Sequence, residues 1–586
     1  MKTVLLPSWL AGYDRDKAVQ DLVAGFVVTF LLVPQSLAYA MLAGLPPHVG
    51  MYASILPLVA YAVFGSSMTL SVGPVAVASL MTASAVAPLA ASGSAEYVLL
   101  SVLLALIGGV ILLLLGLLRM GFVANLLSHP VISGFVTGSA VLIAMGQLKP
   151  LLGIQASGET AVELLFSLLA RAGQLHLPTA VLGASSVLAL WAARRFLAGA
   201  LRWAGIGTRG ADILAKLAPM VVVLVAIAVV AALALDTRAG VAVVGEIPAG
   251  LPHLAFILPT TGQLQALVVP AAMIALIGFV ESVSVAQSLA IKRGERISPD
   301  AELRGLGAAN LASAFSGGFP VTGGFARSVV NFAAGARTPL AGVIAAALMG
   351  VVLLGLAGLF ERLPLAVLAA TIIVAVVGLI DVATLRHAWQ YDKADAVAWL
   401  TTAVGVLALG VEAGVGLGVA MSIGTFLWRA SRPHMAVVGR VGDSEHFRNE
   451  RRFSVRTYPG LLLLRVDESL FFANMTSVVQ RVEEEIDGRG DVRQLVLDLS
   501  SVSHIDLTAV EALQRLQSDL RERGIDVHLA EVRGPVMDRL KQSGLLRQLA
   551  HEPFLSLHEA TRILVPIASP DAAGHTVNPT IARSGT

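Results

Sequence analysis

Cysteine does not occur in this chain of 586 residues, which excludes disulfides, thiolate catalysis and cysteine metal sites. Charge is scarce as well. Asp, Glu, Lys and Arg make up 14% of the residues, whereas a soluble domain carries about 25%. The charges nearly cancel, to a formal +2, so no global basic field is available to attract nucleic acid. A cleavable-signal pattern is missing too: Asp14, Arg15, Asp16 and Lys17 precede the first apolar run. That first segment is therefore expected to stay as a helix. No convincing metal cluster, catalytic triad or phosphate loop is found, so the chain is expected not to be an enzyme and to need no cofactor. What fills the chain is apolar: 56% of residues are hydrophobic and the mean hydropathy is +0.78. Such a composition describes an α-helical polytopic membrane protein.

A spanning helix needs about 20 apolar residues. Candidate spans fall near 21–42, 49–64, 75–90, 97–118, 123–146, 178–197 and 211–235. A second set falls near 267–291, 302–317, 326–336, 339–358, 362–380, 394–410 and 412–429. This gives a transmembrane region over 21–430 with 14 spans, seven in 21–235 and seven in 267–430. The spans after Pro74 and Gly324 are too short to cross a core of about 30 Å alone, so their ends must be buried in protein or line a cavity. Arg119, Arg194, Arg195, Arg202, Arg209, Lys292, Arg293, Arg296, Arg386 and Lys393 fall in alternate loops on one side. The other side has few basic residues, among them Lys149, Arg171, Arg238 and Arg362. The positive-inside rule then puts both termini, including residues 1–20, in the cytoplasm.

The halves read as repeats. Gln35-Ser36-Leu37-Ala38 recurs as Gln287-Ser288-Leu289-Ala290, an offset of 252, and Gly73 and Gly324 are offset by 251. With an odd number of spans per half, the second copy is inverted in the membrane. After Trp428 the composition changes. A basic run, including Arg429, Arg432, Arg440, Arg448, Arg451 and Arg452, leads into a soluble segment over 445–565. Gly460–Val466, Gln494–Leu499 and Ile525–Ala530 read as strands. Met475–Ile486, Thr508–Glu522 and a stretch from Pro535 read as helices. The pattern predicts a small α/β domain. Residues 566–586 are rich in Pro, Gly, Ala and Thr and are expected to be a disordered tail.

Two glycine-marked breaks carry the functional signal. The first is Leu70-Ser71-Val72-Gly73-Pro74-Val75-Ala76 and the second is Val321-Thr322-Gly323-Gly324-Phe325-Ala326-Arg327-Ser328. Paired broken helices are a pointer to a secondary transporter's site. A helix N-terminus exposes unpaired N–H groups and about half a positive charge. Two short helices starting toward one point would form an anion site from backbone, and Arg327 would add a full charge. The plainer alternative is a Gly-rich loop whose arginine snorkels to the interface. Glu281 is an acidic residue well inside the first span of the second half. A carboxylate there can take up a proton beside an anion, or can serve a structural pair. Gln35 and Tyr39 lie one helical turn apart on one face after Pro34, able to orient an oxyanion and wall a pocket or simply to bond between helices. His129, Asn125 and Lys149 read as capping and headgroup-contact residues near helix ends. In the soluble segment, Thr508 stands at a helix start with Asp506 as a cap, open to phosphorylation or plain capping.

These residues resemble a known family. Asp21-Leu22-Val23-Ala24-Gly25, Val33-Pro34-Gln35-Ser36-Leu37-Ala38-Tyr39-Ala40 and Leu42-Ala43-Gly44-Leu45-Pro46-Pro47 resemble the opening of sulfate permease (SulP) family anion transporters. Ser71-Val72-Gly73-Pro74, Gly323 through Asn331 and Gly335-Ala336-Arg337-Thr338 are similar to further family motifs, and 445–565 resembles the family's C-terminal STAS domain. The resemblance implies 14 helices in a core (spans one to four and eight to eleven) and a gate, related by the 7+7 inverted repeat. It implies a substrate pocket of Gln35, Tyr39, Val75, Ala76, Ala326 and Arg327, with Ser328 beside them in the motif, and Glu281 as the acidic position of the eighth helix. It further implies a homodimer, elevator movement of core against gate, and STAS-linked assembly and regulation. Two departures stand out. Many members have serine where this chain has Ala326, and Thr508 is followed by Ala509 where related soluble proteins often have glycine.

On this reading the chain is a secondary active anion transporter of the inner membrane, multi-pass and in contact with lipid. Proton-coupled sulfate uptake comes first. Bicarbonate or a C4-dicarboxylate is the close alternative, a passive anion channel the competing class, and a STAS-led sensor the third. Expected partners are the small anion, the proton, a second copy of the chain and cytoplasmic regulators at STAS, with no nucleic acid.

Overall fold

The computed structural model describes residues 8–10, 13–122, 128–156, 158, 160–248, 250–255, 257–565 and 575–577. Asn125 lies outside them. The chain separates into two compact units, Met1–Ser422 and Ile423–Thr586.

The first unit is helical. It opens with α1 (Arg15–Leu42), whose N-cap Asp14 accepts the Lys17 N–H at 2.8 Å and which runs through Pro34. Then come α2 (Pro47–Tyr52), α3 (Leu56–Phe64), the two-residue strand β1 (Val72–Gly73) and α4 (Ala76–Val86). Next follow α5 (Ala95–Leu117), α6 (His129–Leu152), α7 (Ala161–Ala170) and α8 (Leu177–Ala192). A π-helical turn at Ala193–Leu197 passes into α9 (Ala198–Trp203), and α10 (Thr208–Lys216), α11 (Ala218–Leu233) and α12 (Leu235–Arg238) close the first half.

The second half starts with α13 (Thr261–Ile291), which a reciprocal capping box between Thr260 and Gln263 begins. It continues through α14 (Pro299–Phe315), β2 (Thr322–Gly323), α15 (Phe325–Ala334) and α16 (Leu340–Val351). It ends with α17 (Leu365–Val377), α18 (Val382–Tyr391), α19 (Lys393–Leu409) and α20 (Val411–Ala430).

Among the described residues, eight helical stretches are long and apolar enough to cross a membrane. The helices after the two breaks are not: α4 has 11 residues and α15 has 10. At about 1.5 Å per residue each covers about half of a bilayer core. α4 is buried in protein instead, and α15 packs Val330 and Ala334 against α1 while Phe325 and Ala326 at its start are exposed. One apolar cluster lies among α3, α4, α5, α13 and α14, and a second joins α1 to α6, α11, α16 and α17. Helices α5 and α14 approach closely, since a Cβ on Gly109 would stand 3.0 Å from the Gly307 carbonyl oxygen. Small residues at such crossings are the usual device of membrane helix packing.

The second unit is built on a seven-stranded sheet: β3 (Met435–Arg440), β4 (Phe447–Asn449), β5 (Val455–Thr457), β6 (Leu461–Val466), β7 (Gln494–Asp498), β8 (Asp526–Ala530) and β9 (His575–Val577). The order is β8-β7-β6-β3-β5-β9, with β4 on β3. Strands β6, β7 and β8 are parallel, while β3 is antiparallel to β6. Helices α21 (Met475–Asp487), α22 (Leu507–Glu522) and α23 (Gly534–Ser543) cover one face, and Phe554 with α24 (Leu557–Leu564) packs on the other. The sheet thus starts before the expected 445. The apolar core of β3 is only a few residues long and is hidden within a basic run. Within the expected disordered tail, His575–Val577 instead form a strand antiparallel to β5; the rest of 566–586 lies outside the described residues.

Candidate functional site

The two breaks meet. Val72 pairs with Gly323 and Gly73 with Thr322 in an antiparallel crossing, and the Gly324 N–H donates to the Ser71 carbonyl at 3.0 Å. Each break has its own anchors. Before β1, the buried carboxylate of Glu302 accepts from Tyr61 Oη (2.7 Å), Ser66 N (2.9 Å), Ser66 Oγ (2.6 Å) and Ser67 N (3.0 Å). Before β2, the Asn310 amide holds both backbone groups of one residue, accepting from Val321 N at 3.0 Å and donating to Val321 O at 2.8 Å. Ser282 and Thr322 hydroxyls lie 2.6 Å apart, and Ser282 Oγ also accepts the Gly323 N–H at 2.9 Å. From α15, Ser328 Oγ accepts the Ser71 N–H at 2.9 Å and Asn331 Nδ2 donates to Thr69 O at 3.0 Å.

At the crossing two helices begin without side-chain caps. Val75 is the N-cap of α4 and Gly324 that of α15, and neither supplies a cap hydrogen bond. Their first N–H groups remain available to a ligand. Between them lies Arg327, 1% exposed and foremost by size among the fully buried side chains. Its Nη1 donates to the Pro74 carbonyl at 2.6 Å. Its Nε and Nη2 have no partner among the described residues. The glycines make room for it: a Cβ on Gly73 would stand 3.2 Å from Nη2, and one on Gly324 3.0 Å. A buried charge with unused donors is costly unless something negative compensates it.

Tyr39 and Glu281 are close enough to Arg327 to interact with its charge. Tyr39, Val75 and Ala76 are buried, Gln35 and Glu281 half-buried, and Ala326 exposed. Gln35 and Ala326 line a cavity of about 480 Å³ that is also lined by Thr371 and Val374 of α17. A cavity of about 330 Å³ lies farther along α1, lined by Ala38 and Met41 together with Lys149 and Leu368. Glu281 faces a small space shared with Phe135 of α6 and Thr402 of α19. The structure therefore sets Tyr39 and Glu281 within electrostatic reach of Arg327, and Gln35 with Ala326 on the wall of one cavity. Ser328, expected with the substrate-binding residues, braces the crossing by accepting the Ser71 N–H. Thr508 is exposed at the second position of α22, where Asp506 caps the helix by accepting the Ala509 N–H at 2.8 Å.

Sequence reasoning missed Asn310, Ser282, Asn331 and Glu302. Their signal was a polar residue at a buried place in an apolar span, which in a membrane usually calls for a partner. Asp21 was missed in the same way. It is fully buried and accepts from Arg337 N (2.6 Å), Thr338 N (3.0 Å) and Thr338 Oγ1 (2.6 Å), tying α1 to the turn before α16.

Fold and site together define a polytopic membrane protein organised around two crossed, broken helices and a buried arginine. The chain belongs to the sulfate permease family, which its residues 19–402 match, and residues 452–560 match the STAS domain. A probable sulfate transporter of Mycobacterium tuberculosis is 36% identical over 569 residues, covering 96% of this chain and 99% of that protein. The chloroplastic sulfate transporter 4.1 of Arabidopsis thaliana is 33% identical over 570 residues, covering 95% of this chain and 81% of its own. In fold, the chain is similar to murine Solute Carrier 26 family member A9, an anion transporter solved in the inward-facing state. The TM-score is 0.85 at 24% identity, over 96% of this chain and 93% of that one.

Proposed function

We propose that the protein is a secondary active transporter that carries sulfate into the cell together with a proton. The observation that carries this reading is Arg327, buried between two uncapped helix starts with Nε and Nη2 unpartnered among the described residues. A small oxyanion fits this donor set. It would accept from the guanidinium and from the first N–H groups of α4 and α15. Tyr39, Val75 and Ala76 wall the pocket, Gln35 and Ala326 form its approach, and Ser328 holds the two breaks in register. Sulfate is favoured because close relatives over nearly the full chain carry that name.

Glu281 is the proton carrier in this account. It is a carboxylate near Arg327 with no hydrogen-bond or ion-pair partner among the described residues, so a proton loaded there offsets one of the two negative charges that sulfate brings. Cavities on either side of the site, both lined by α1 and α17, favour an elevator movement of a core against a gate. The remaining assignments follow from the sequence. They are 14 spans over 21–430 in two inverted halves, a STAS domain over 445–565, cytoplasmic termini at the inner membrane, a homodimer, and regulators acting at STAS with Thr508 as a phosphorylation position.

Ala326 favours a second reading. It removes a hydroxyl from the pocket motif, and bicarbonate or a C4-dicarboxylate would then compete for the same donors. The test is uptake of sulfate, bicarbonate and fumarate by purified protein in liposomes with and without an inward proton gradient. The account expects saturable sulfate uptake that the gradient accelerates. Preference for another anion would transfer the site to it, and conduction indifferent to the gradient would make the protein a channel.

A further inference from the structure

The cavity beside Gln35 and Ala326 contains a cation that the site above does not use. Helix α8 does not run straight into α9; the π-helical turn Ala193–Leu197 intervenes. Such turns carry an extra residue, reorient the side chains on them and recur at functional positions. This one carries Arg194, whose Nη1 donates to the Val374 carbonyl of α17 at 3.0 Å. Gly378 admits the guanidinium, since a Cβ there would stand 2.8 Å from Nη2. No carboxylate among the described residues pairs with Arg194. One bond to a carbonyl leaves the rest of its N–H fork available.

Arg194 lines the same cavity of about 480 Å³ as Gln35, Ala326 and Thr371. Most of the remaining lining is apolar, from α1, α8, α11, α15 and α17. A cation on low-dielectric walls concentrates anions beside it. The planar fork matches two oxygens of a tetrahedral oxyanion better than an ammonium would. The cavity meets α1 at Leu31, Pro34 and Gln35, on the side of Tyr39 that faces the helix end assigned above to the cytoplasm.

We propose that Arg194 forms a second, weaker oxyanion site, a station in the inner cavity between the aqueous phase and Arg327. The station rests on the transport reading given above. The π turn aims the guanidinium into the cavity, and the Val374 carbonyl fixes its orientation while one edge remains free for the anion. A phospholipid headgroup offers the same oxyanion chemistry, and the test separates the two.

The experiment is equilibrium binding of radiolabelled sulfate to the full-length protein in nanodiscs, made either of phosphatidylcholine alone or with added phosphatidylglycerol. The proteins are wild type, Arg327→Ala, and Arg327→Ala combined with Arg194→Gln or Arg194→Lys. Arg327→Ala is expected to lose tight binding and keep a weaker sulfate site. Adding Arg194→Gln should weaken that site about tenfold, as loss of one charge-assisted contact implies, and Arg194→Lys, which keeps the charge but not the fork, should fall between the two. Both lipid compositions should give the same result. Tight binding retained in Arg327→Ala would overturn the Arg327 pocket on which the transport reading rests. If tight binding is lost but the weaker site is absent, or is indifferent to Arg194→Gln, only the station is overturned. A weak site abolished by phosphatidylglycerol would assign Arg194 to headgroups and would equally overturn it. Equal loss in the Gln and Lys variants, with a lowered unfolding temperature, would reduce Arg194 to a brace on α17.

Discussion

Arg327 organises the site at the scale of single residues, and the space around it is as informative as its charge. Gly324 has an ordinary backbone conformation, φ −81°, so alanine there meets no backbone strain. Its added Cβ would nevertheless stand 3.0 Å from Arg327 Nη2. Gly324→Ala is therefore expected to weaken sulfate binding about tenfold through one displaced charge-assisted contact, with the unfolding temperature nearly unchanged; isothermal titration alongside thermal unfolding checks it. Glu281→Gln keeps the shape and removes the proton. It is expected to abolish the acceleration of sulfate uptake by an inward proton gradient while leaving sulfate exchange at equal pH. Normal gradient-driven uptake in that variant would remove Glu281 from the coupling path. Arg327 was legible in the sequence because a charge in an apolar segment has few bland explanations. The bond that Ser328 makes was not legible, because adjacency in a motif says nothing of direction. One position along the helix turns a side chain by about 100°, and here that turn takes Ser328 to the Ser71 N–H.

Among the elements, the decisive structure is the crossing of two strands only two residues long, which no periodicity in the sequence announces. Glycine and proline marked where the helices break; that the breaks pair was left to long-range contacts. The clamps are polar side chains on neighbouring helices. Asn310 of α14 is buried and holds both the N–H and the carbonyl of Val321. Asn310→Ala strands those groups in an apolar setting, which costs about 1–3 kcal/mol for each one left unmade. The expected outcome is a clearly lowered unfolding temperature and weaker sulfate binding, although Asn310 lies outside the proposed pocket. Unchanged affinity with lowered stability would show that the crossing tolerates a loose second strand. β3 escaped sequence reading for a different reason: its apolar run is short and lies among arginines, so only the pairing of Ala436 with Arg465 and Val437 with Leu464 reveals it.

On the scale of the whole molecule, composition alone separated an apolar helical unit from a more polar α/β unit. The parallel strands and amphipathic helices of the second unit were legible because they follow periods of 2 and 3.6 residues. Its acid response was not. His528 on β8 is 4% exposed, packs against Phe554, and neither ring nitrogen has a partner among the described residues. Burial pushes its pKa down from 6.5, with Asp526 opposing and His551 adding to the shift. The unfolded chain then binds the proton more readily than the folded one, so this contribution is intact above about pH 6.5 and is lost as pH falls below it. In the full-length protein, hydrogen exchange at β8, corrected for intrinsic rates, should accelerate between about pH 6.5 and 5. His528→Leu should flatten that dependence. All these expectations leave the central claim with one direct test: an electron-density map of the protein with selenate, a heavier analogue of sulfate. The account predicts selenate between the N-termini of α4 and α15, within hydrogen-bond distance of Arg327 Nη2. Selenate bound elsewhere, with that position empty in protein that still transports, would contradict it.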